Sequence, residues 1–554
     1  MESRFCGAKK MAEVNKAGRI YDPVYGYVEL SETEFKLVTS PLFQRLHWIK
    51  QLGPLHTVFP SAQHSRFSHT IGVFYIVKKM IEHLKKVRPH KYGYKFDSKE
   101  DQILRFAALL HDIGHVPLSH VGEKVLKDSA KRRHQSEDKA VELEDEDKLT
   151  WWGLFPEPEY KGGSTKLHER LSAHIVLRSR KIDELLRDVW PQKKRREQAK
   201  KRIARIIVGQ DSTDIPTLLL HSELDADRLD YLLRDSFFTG VGYGKIELDY
   251  IISRLRVLPG SELIGRRLCV EGKGLHTVEH YILGRFFLQT LIIYNRKVRF
   301  MDLLFEDVMT YMVEGKAPDG CELMNLTQFR DCIEGCKGED RREHLHRLYS
   351  YTDAEVYMKM RRLHEELDEK QSRTTASEEE LYINDCIKTI MDGEVPEPVF
   401  HTCQKVVDLG RVEDRTAMLE KEAEDVAKDV ARKLGVWRKR VKTNVVRQEV
   451  MKYRPDEEDA NREAVTIMFK KPGESDKCIY AAESNATLLK DLSNKALLLF
   501  NVYYVRCKAE SEAEVDTIEG AIREAFNGIV NKAFYADGTE PEERTHQSGT
   551  VGGS

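Results

Sequence analysis

The chain has 554 residues, more than one hydrophobic core usually serves, so at least two folded units are expected. Hydrophobic residues make up 41% and charged residues 32%, which is typical of a water-soluble, mostly helical protein. The net charge of −2 excludes bulk attraction to nucleic acid, and the nine scattered cysteines indicate reduced thiols. The sequence shows no secretory signal and no apolar run of about 18 residues, so we expect a cytoplasmic protein (nuclear if eukaryotic) without a membrane partner.

Helical segments come first along the chain. One helix is predicted by apolar residues that recur every three or four positions, namely Phe74, Val77, Ile81 and Leu84. A second apolar run, residues 103–110, ends directly at a His-Asp pair. A long helical stretch is predicted over residues 277–312, interrupted only by Gly284.

Two polar segments interrupt this helical region. Residues 125–162 contain an acidic run and end at a glycine pair, which predicts an exposed insertion. Residues 191–205 are strongly basic. A solvated helix face is the more common meaning of such a run, and a polyphosphate or nucleic-acid contact is the alternative.

The C-terminal part differs in character. Residues 340–440 are helical and highly charged, whereas 465–470 and 501–508 predict strands, with a turn at 471–473 and a helix over 512–526. The predicted fold is mainly α, with an all-helical core and a small C-terminal α+β lobe. The predicted parts are a flexible N-terminus, a main domain with the insertion, a charged helical extension, the α+β lobe and a disordered tail, over residues 1–19, 20–330, 331–440, 441–540 and 541–554.

The most informative stretch is LHDIGHVPLSH, residues 110–120. His111 and Asp112, at the end of an apolar helix, place an imidazole and a carboxylate at the edge of a dry core, which suits a divalent first-row metal. Further ligands are expected from His69 and from Asp227, which lies where acidic groups interrupt an apolar pattern. A charge facing a core is costly unless it is paired or metal-bound. A lone His is usually a satisfied core residue, but the four residues together predict a metal site.

With these residues in this order, the sequence resembles the HD superfamily. More narrowly, it is similar to the deoxynucleoside triphosphate triphosphohydrolases that combine a SAM and an HD domain. The similarity extends over residues 20–313, is strongest at 43–60 and 227–235, and returns weakly at 503–508. No SAM domain is expected ahead of it.

The resemblance implies a metal-dependent reaction. The metal would be iron or manganese, with zinc or nickel as alternatives, and Mg²⁺ would accompany the substrate and the regulatory nucleotides. In that family, hydroxide formed at the metal attacks the α-phosphorus of a dNTP, and a deoxynucleoside and triphosphate are released. His120 corresponds to the acid that protonates the leaving group, with Glu123 placed to hold its ring and favour the protonated form. His115 and His168 correspond to phosphate contacts.

The resemblance also assigns residues to the substrate: Gln51 and Asp235 to the 3′-hydroxyl, Arg66, Arg228 and Tyr231 to the polyphosphate, and Leu52 and Tyr294 to C2′. The last two would exclude a ribose hydroxyl by shape. Arg228 replaces a lysine of the family, and Asn295, beside Tyr294, replaces a glutamine. Both departures leave the base preference open.

Regulation by nucleotides is implied as well, through sites that join subunits into a homo-oligomer, a dimer or a tetramer. The corresponding residues are Thr39, Gln44, His47, Val58, Phe59 and Lys297. Gln44 matches the family, but Thr39 stands at an acidic position and His47 at an arginine position. A threonine cannot accept both N–H donors of guanine, so an activator other than a guanine nucleotide is expected.

The predicted function is therefore hydrolysis of dNTPs, which depletes dNTP pools and would have an antiviral effect. One alternative is an HD-domain hydrolase of a cyclic or signalling nucleotide, although those subfamilies usually lack the GHxPLSH continuation. A second alternative is a nucleotide-sensing or nucleic-acid-binding protein with a vestigial metal site. The basic run at 191–205 favours it, and the complete set of ligands counts against it.

Overall fold

The computed structural model describes residues 16–87, 92–137, 166–210, 214–258, 267–334, 341–393, 395–401, 405–408, 412–451, 464–469, 477–493, 495–507 and 510–535. The predicted tail, the predicted turn at 471–473, and most of the predicted N-terminus and insertion lie outside these residues. The chain divides into two compact units. The larger comprises residues 1–395 and 449–494, and the smaller comprises 396–448 and 495–554.

The fold is mainly α-helical, which confirms the predicted class. The α-helices of the described residues are α1 (Glu32–Val38), α2 (Pro41–Gln44), α3 (Arg66–Lys86), α4 (Ser98–Leu110), α5 (His120–Glu137), α6 (Leu167–Arg178), α7 (Arg180–Leu186), α8 (Lys193–Ile207), α9 (Ile215–Leu218), α10 (Ala226–Thr239), α11 (Leu248–Arg254), α12 (Leu275–Leu288), α13 (Arg296–Val313), α14 (Leu326–Glu334), α15 (Arg341–Ser350), α16 (Asp353–Ser372), α17 (Glu378–Asp392), α18 (Val412–Leu434), α19 (Leu489–Leu492) and α20 (Glu512–Tyr535).

The helices that lead into the predicted metal site form where the apolar spacing predicts them. In α3, the residues Phe74, Val77, Ile81 and Leu84 are all buried. Helix α4 begins at the N-cap Asp97, whose side chain accepts a hydrogen bond from a first-turn amide, and ends directly before the His-Asp pair. Burial of an apolar face, rather than helix propensity alone, stabilises such elements.

The prediction of a helical stretch over residues 277–312 is wrong about where the stretch is interrupted. The helical path breaks after a π-helical turn, Gln289–Ile293, so that α12 and α13 are separate helices, whereas Gly284 remains inside α12. The glycine serves close packing instead, because a Cβ atom at Gly284 would lie 2.5 Å from the carbonyl oxygen of Tyr243. The break places Tyr294 at the end of the π-helical turn.

The described strands of the larger unit form two sheets. β1 (Lys16–Asp22) and β2 (Gly26–Ser31) make an antiparallel hairpin. The other four strands are β3 (Leu255–Leu258), β4 (Arg267–Glu271), β8 (Thr466–Phe469) and β9 (Lys477–Tyr480). They form one sheet in the order β3, β4, β8, β9, and the β4–β8 pair is parallel.

The smaller unit packs α18 and α20 with a sheet around β10 (Lys495–Tyr504). The strands β5 (Phe400–His401), β6 (Lys405–Asp408) and β7 (Val441–Glu449) all pair with β10. Its core includes Phe500 and Phe526. The structure thus divides the C-terminal region differently from the predicted boundary at 441. The predicted strand at 465–470 belongs to the larger unit because β8 hydrogen-bonds to β4.

Two further features bear on possible partners. Within the described residues, no helix combines the length and the apolar character that crossing a bilayer requires. The basic segment at 191–205 forms most of α8, where Arg196 and Lys200 are buried and both bond to Asp183. Part of this charge therefore serves packing within the unit.

Candidate active site

Three elements of the larger unit bring the four predicted metal ligands together. His69 lies in the first turn of α3, His111 and Asp112 lie in the turn after α4, and Asp227 lies in the first turn of α10. His69 Nε2 is 3.0 Å from Asp227 Oδ1 and 3.7 Å from Asp112 Oδ2. His111 Nε2 is 3.5 Å from Asp112 Oδ1 and 4.0 Å from Asp227 Oδ1.

The orientation of the two histidine rings fits a bound cation. Nδ1 of His69 bonds to a carboxylate oxygen of Asp230 at 2.7 Å, and Nδ1 of His111 bonds to the carbonyl oxygen of Ala108 at 2.8 Å. In both rings the buried Nε2 has no hydrogen-bond partner among the residues that the structure describes. Metal-binding histidines usually donate one N–H to an acceptor and present the other nitrogen to the metal. His69, His111 and Asp112 place one ligand atom each within 4.8 Å of one another, so these residues could hold a divalent ion.

The charges around the ligands stabilise ionised carboxylates. Burial alone would raise the pKa of Asp112, but the positive groups nearby, above all His111 and Arg66, hold it well below its usual range. Burial opposes protonation of His69, yet the carboxylates of Asp227 and Asp230, which lie 3.0 Å and 2.7 Å from its two ring nitrogens, raise its pKa to about 10. The cluster therefore has a strong preference for positive charge at its centre.

A network that the sequence analysis did not identify supports His69. Asp230 is fully buried and accepts hydrogen bonds from Arg234 Nε at 2.9 Å and Nη2 at 3.0 Å. Arg234 also donates to Asp22 in β1, at 2.8 Å. The spacing Asp227–Asp230–Arg234, three and then four residues, places the three side chains on one face of α10 and was the available signal.

A second histidine group lies in and beside the turn that precedes α5. The His115 and His168 rings stack with their centroids 4.0 Å apart, and both are buried. Gly114 permits this approach of α6, because a Cβ there would lie 2.4 Å from the amide nitrogen of Ser172. His120 begins α5, and its side chain is 68% exposed, so this ring alone of the three is open to solvent.

Glu123 connects this group. Its Oε2 is 2.8 Å from His168 Nδ1 and 3.2 Å from His120 Nδ1. Burial alone would lower the pKa of His168, but the Glu123 carboxylate raises this pKa above its usual value. The pKa of His115, in contrast, is lowered, first by burial and then by the positive charge of Arg66. Glu123 thus contacts His120 as the sequence predicts and lies closer still to His168.

A cavity of about 410 Å³ adjoins these residues. Its walls come from the segment around Gln51, from the start of α5 with His120, and from α10 and α13. Six of the eight predicted substrate residues line it: Gln51, Leu52, Arg66, Tyr231, Asp235 and Tyr294. Gln51 Oε1 is buried and has no hydrogen-bond partner within the described part of the chain, and the Asp235 carboxylate lies 2.8 Å from His64 Nε2.

Arg66 lines the cavity and also contacts the predicted metal ligands. Its guanidinium donates to Asp112 Oδ2 at 2.8 Å, to the carbonyl oxygen of Gln51 at 3.0 Å and to Ser119 Oγ at 3.1 Å. A planar guanidinium with three fixed acceptors has little rotational freedom. Arg66 therefore links the predicted ligand Asp112 to two cavity-lining segments.

Two predicted substrate residues do not line the cavity. The Arg228 guanidinium donates to Asp225 and to the carbonyl oxygen of Ser222. Asn295 caps α13, with its side chain accepting from the Lys297 amide at 3.0 Å. Both side chains are engaged in local structure.

The predicted regulatory residues lie on more exposed parts of the unit. Thr39 donates to the carbonyl oxygen of Phe35 at 2.8 Å, and Gln44 donates to that of Val38 at 2.7 Å. His47 is exposed and stacks on Phe67, with centroids 3.7 Å apart. The remaining predicted positions, Val58, Phe59 and Lys297, are half-buried.

Residues 66–214 match the protein family described as HD domain, so the chain contains an HD domain. The matched segment includes His69, His111 and Asp112, and Asp227 follows it. The chain is 30% identical over 289 residues to the uncharacterized protein YwfO of Bacillus subtilis, covering 52% of this chain and 54% of that protein. It is 25% identical over 318 residues to the deoxynucleoside triphosphate triphosphohydrolase SAMHD1 homolog of Dictyostelium discoideum, covering 56% of this chain and 53% of that protein.

The chain thus spans about half the length of these relatives. Among solved structures, a phosphohydrolase from Bacteroides thetaiotaomicron superimposes with a TM-score of 0.56 at 22% identity, covering 88% of this chain and 99% of that one. At this identity the likeness shows a shared fold.

Proposed function

We propose that this protein is a metal-dependent phosphohydrolase that cleaves dNTPs to a deoxynucleoside and inorganic triphosphate. The observation that carries the proposal is the meeting of two sets of residues. The cavity lined by six predicted substrate residues is connected to the cluster of predicted metal ligands through Arg66, which donates to Asp112. In that cluster, two buried imidazole nitrogens that have no hydrogen-bond partner among the described residues face two carboxylates. The similarity to the Dictyostelium triphosphohydrolase homolog supports the same substrate class.

The metal would be held by His69, His111, Asp112 and Asp227, with iron or manganese expected. When bound, such an ion supplies Lewis acidity that makes water a nucleophile near neutral pH. Asp230 and the Ala108 carbonyl fix the two imidazole rings, so that both Nε2 atoms point to one place. Mg²⁺ would accompany the triphosphate.

The 5′-oxygen of the sugar needs a proton as it leaves. His120 fits this task because its ring is open to the cavity and its Nδ1 lies 3.2 Å from Glu123. A carboxylate on one ring nitrogen fixes the imidazole so that Nε2 can present a proton to the substrate. His115 and His168, stacked behind His120, would contact phosphate.

The sugar would be recognised by paired polar groups and by shape. Gln51 Oε1, a buried acceptor that bonds to none of the described residues, and Asp235, held by His64, fit a 3′-hydroxyl. Leu52 and Tyr294 line the same cavity and would leave no room for a 2′-hydroxyl. Nucleotide activation and a homo-oligomer remain part of the proposal, with Thr39 and His47 disfavouring guanine.

Product identification tests the proposal. Purified protein loaded with Mn²⁺ or Fe²⁺ is incubated with each dNTP and each NTP, and the products are separated by ion-exchange chromatography. We expect deoxynucleoside and triphosphate in equal amounts, and slower turnover of NTPs. Pyrophosphate or orthophosphate as the first product would contradict the proposal, and hydrolysis of a cyclic nucleotide alone would favour the alternative HD-domain activity.

A further inference from the structure

Asp353 bonds to two separate segments of the active-site wall. It is the first residue of α16 and is 4% exposed. Its Oδ1 accepts a hydrogen bond from the Leu118 amide at 2.7 Å, and its Oδ2 accepts one from the Lys50 amide at 2.9 Å. A carboxylate has an acceptor oxygen for each of these converging N–H groups.

The turn held by Asp353 has an unfavourable backbone conformation. Leu118 and Ser119 have φ angles of 57° and 53°, in the left-handed region that residues other than glycine rarely adopt. Such conformations persist where surrounding contacts fix them, often beside functional sites. His120 follows this turn directly, so its position depends on the turn being held.

The second segment leads to the sugar-binding residues. Lys50 immediately precedes Gln51 and Leu52, which both line the cavity. The two segments are also joined to each other, because Ser119 Oγ donates to the Lys50 carbonyl oxygen at 2.7 Å. Asp353 therefore bonds to both segments, at the point where the two segments also bond to each other.

A second set of buried hydrogen bonds, made by Arg45, connects the start of α16 with the segment that follows the predicted metal ligands His111 and Asp112. Arg45 donates to the carbonyl oxygens of Ile113 and His115, each at 2.8 Å, and to that of Tyr351 at 3.1 Å. Tyr351 lies two residues before Asp353. The start of α16 is thus bonded directly to the turn at Leu118 and, through Arg45, to Ile113 and His115.

We propose that Asp353 is a positioning residue that holds His120 and the Gln51–Leu52 segment in register across the cavity. It lies well beyond the matched HD segment, so the active-site geometry requires a helix outside that segment. The effect of these residues on a substrate rests on the proposed function. The hydrogen bonds from the Lys50 and Leu118 amides to Asp353 do not depend on it.

The test compares Asp353→Asn, Asp353→Glu and Asp214→Asn in the full chain. Asn keeps one acceptor oxygen and turns an NH₂ group toward the second amide, whereas Glu keeps both acceptors. Asp214, at the start of α9, also accepts a hydrogen bond from a main-chain amide, that of Thr217, at 3.1 Å. Because Asp214 does not line the cavity, Asp214→Asn is the matched control.

For Asp353→Asn we expect kcat to fall at least about tenfold, because small displacements of reacting groups cost this much or more. Metal content should stay at the wild-type value. Hydrogen–deuterium exchange should accelerate in peptides containing the Lys50 and Leu118 amides, and Asp353→Glu should recover part of both effects. Asp214→Asn should change neither.

Wild-type exchange at both amides in Asp353→Asn would overturn the proposal, as would an unchanged kcat. An equal loss of kcat in Asp214→Asn would also overturn it, because the effect would then be general destabilisation. If the wild-type protein released no triphosphate from any dNTP, the proposed function would fail, and the exchange measurement would still decide whether Asp353 holds the two segments.

Discussion

The cluster of predicted metal ligands and the predicted regulatory positions differ in how strongly the structure constrains them. His69 is fully buried and bonds to a carboxylate that is itself held by Arg234. Thr39 and His47, by contrast, are exposed, and Thr39 bonds only to carbonyl oxygens of its own helix among the contacts described. A buried charge must be paired, so a change at the cluster disturbs several partners, whereas a change at the surface disturbs few.

Because of this difference, the reaction could be kept while the activating nucleotide changes. Substitution at the cluster should abolish hydrolysis, and substitution at the exposed positions should alter which nucleotide is bound. Four variants test this contrast, and those with the strongest expected effects come first.

Replacement of Asp112 by Ala should remove the bound metal and all measurable activity. The side chain faces both histidines of the cluster and pairs with Arg66, which would be left buried without its carboxylate. Thermal stability should fall too, because metal binding is coupled to folding. Elemental analysis gives the metal stoichiometry, with Asp249→Ala, an exposed carboxylate on α11, as the control. Full metal content in Asp112→Ala would refute its assignment as a ligand.

Replacement of Leu52 by Ala should weaken discrimination against ribonucleotides. Removing the side chain opens space in the cavity, and shape selection of this kind is worth about 10- to 100-fold. The measurement is kcat/KM for each dNTP and its NTP counterpart. Leu288→Ala, which shortens another leucine of the same cavity, is the control. A selectivity ratio equal to that of the wild type would show that Leu52 does not exclude the 2′-hydroxyl.

Replacement of Asp230 by Asn should lower metal affinity about 10- to 100-fold, the usual effect of losing a carboxylate behind a histidine ligand. Activity should return when excess metal is added, unlike in Asp112→Ala. Titration with a chelator measures the affinity. Unchanged retention of metal would mean that the buried Asp230–Arg234 pair has only a structural role.

Replacement of Thr39 by Asp should strengthen binding of guanine nucleotides by about tenfold, since a matched polar partner is worth about 1–3 kcal/mol. The exposed position should tolerate the change without loss of stability. Light scattering with each nucleotide, recorded alongside hydrolysis of a second dNTP, measures activation. GTP as the best activator of the wild-type protein would contradict the inference drawn from Thr39 and His47.

The parts of the fold that the sequence predicts are those governed by local rules. The faces of α3 and α4 follow from apolar spacing. The four predicted metal ligands stand out because His69 and the His111–Asp112 pair lie at the ends of apolar helices and Asp227 interrupts an apolar pattern. The parallel pairing of β4 with β8 joins residues far apart in the chain and has no local signal. The break after Gln289–Ile293 likewise has no local signal that the sequence reasoning used, because the glycine that suggested an interruption lies inside α12.

The candidate site shows the same division. His120 and Glu123, three residues apart on α5, meet as their spacing predicts. The position of Asp353 could not be predicted, because its bond to Leu118 spans 235 residues and an isolated Asp at a helix start is common. Residues that chemistry requires are visible in the sequence, and those that hold them in place become visible only in three dimensions.

Attack at the α-phosphorus can be tested by hydrolysis in oxygen-18 water. The reaction is run with one dNTP, and mass spectrometry locates the label in the products. Attack at this phosphorus should place one oxygen-18 atom in the triphosphate and none in the deoxynucleoside. Label in the deoxynucleoside, or in orthophosphate or pyrophosphate released as the first product, would contradict it.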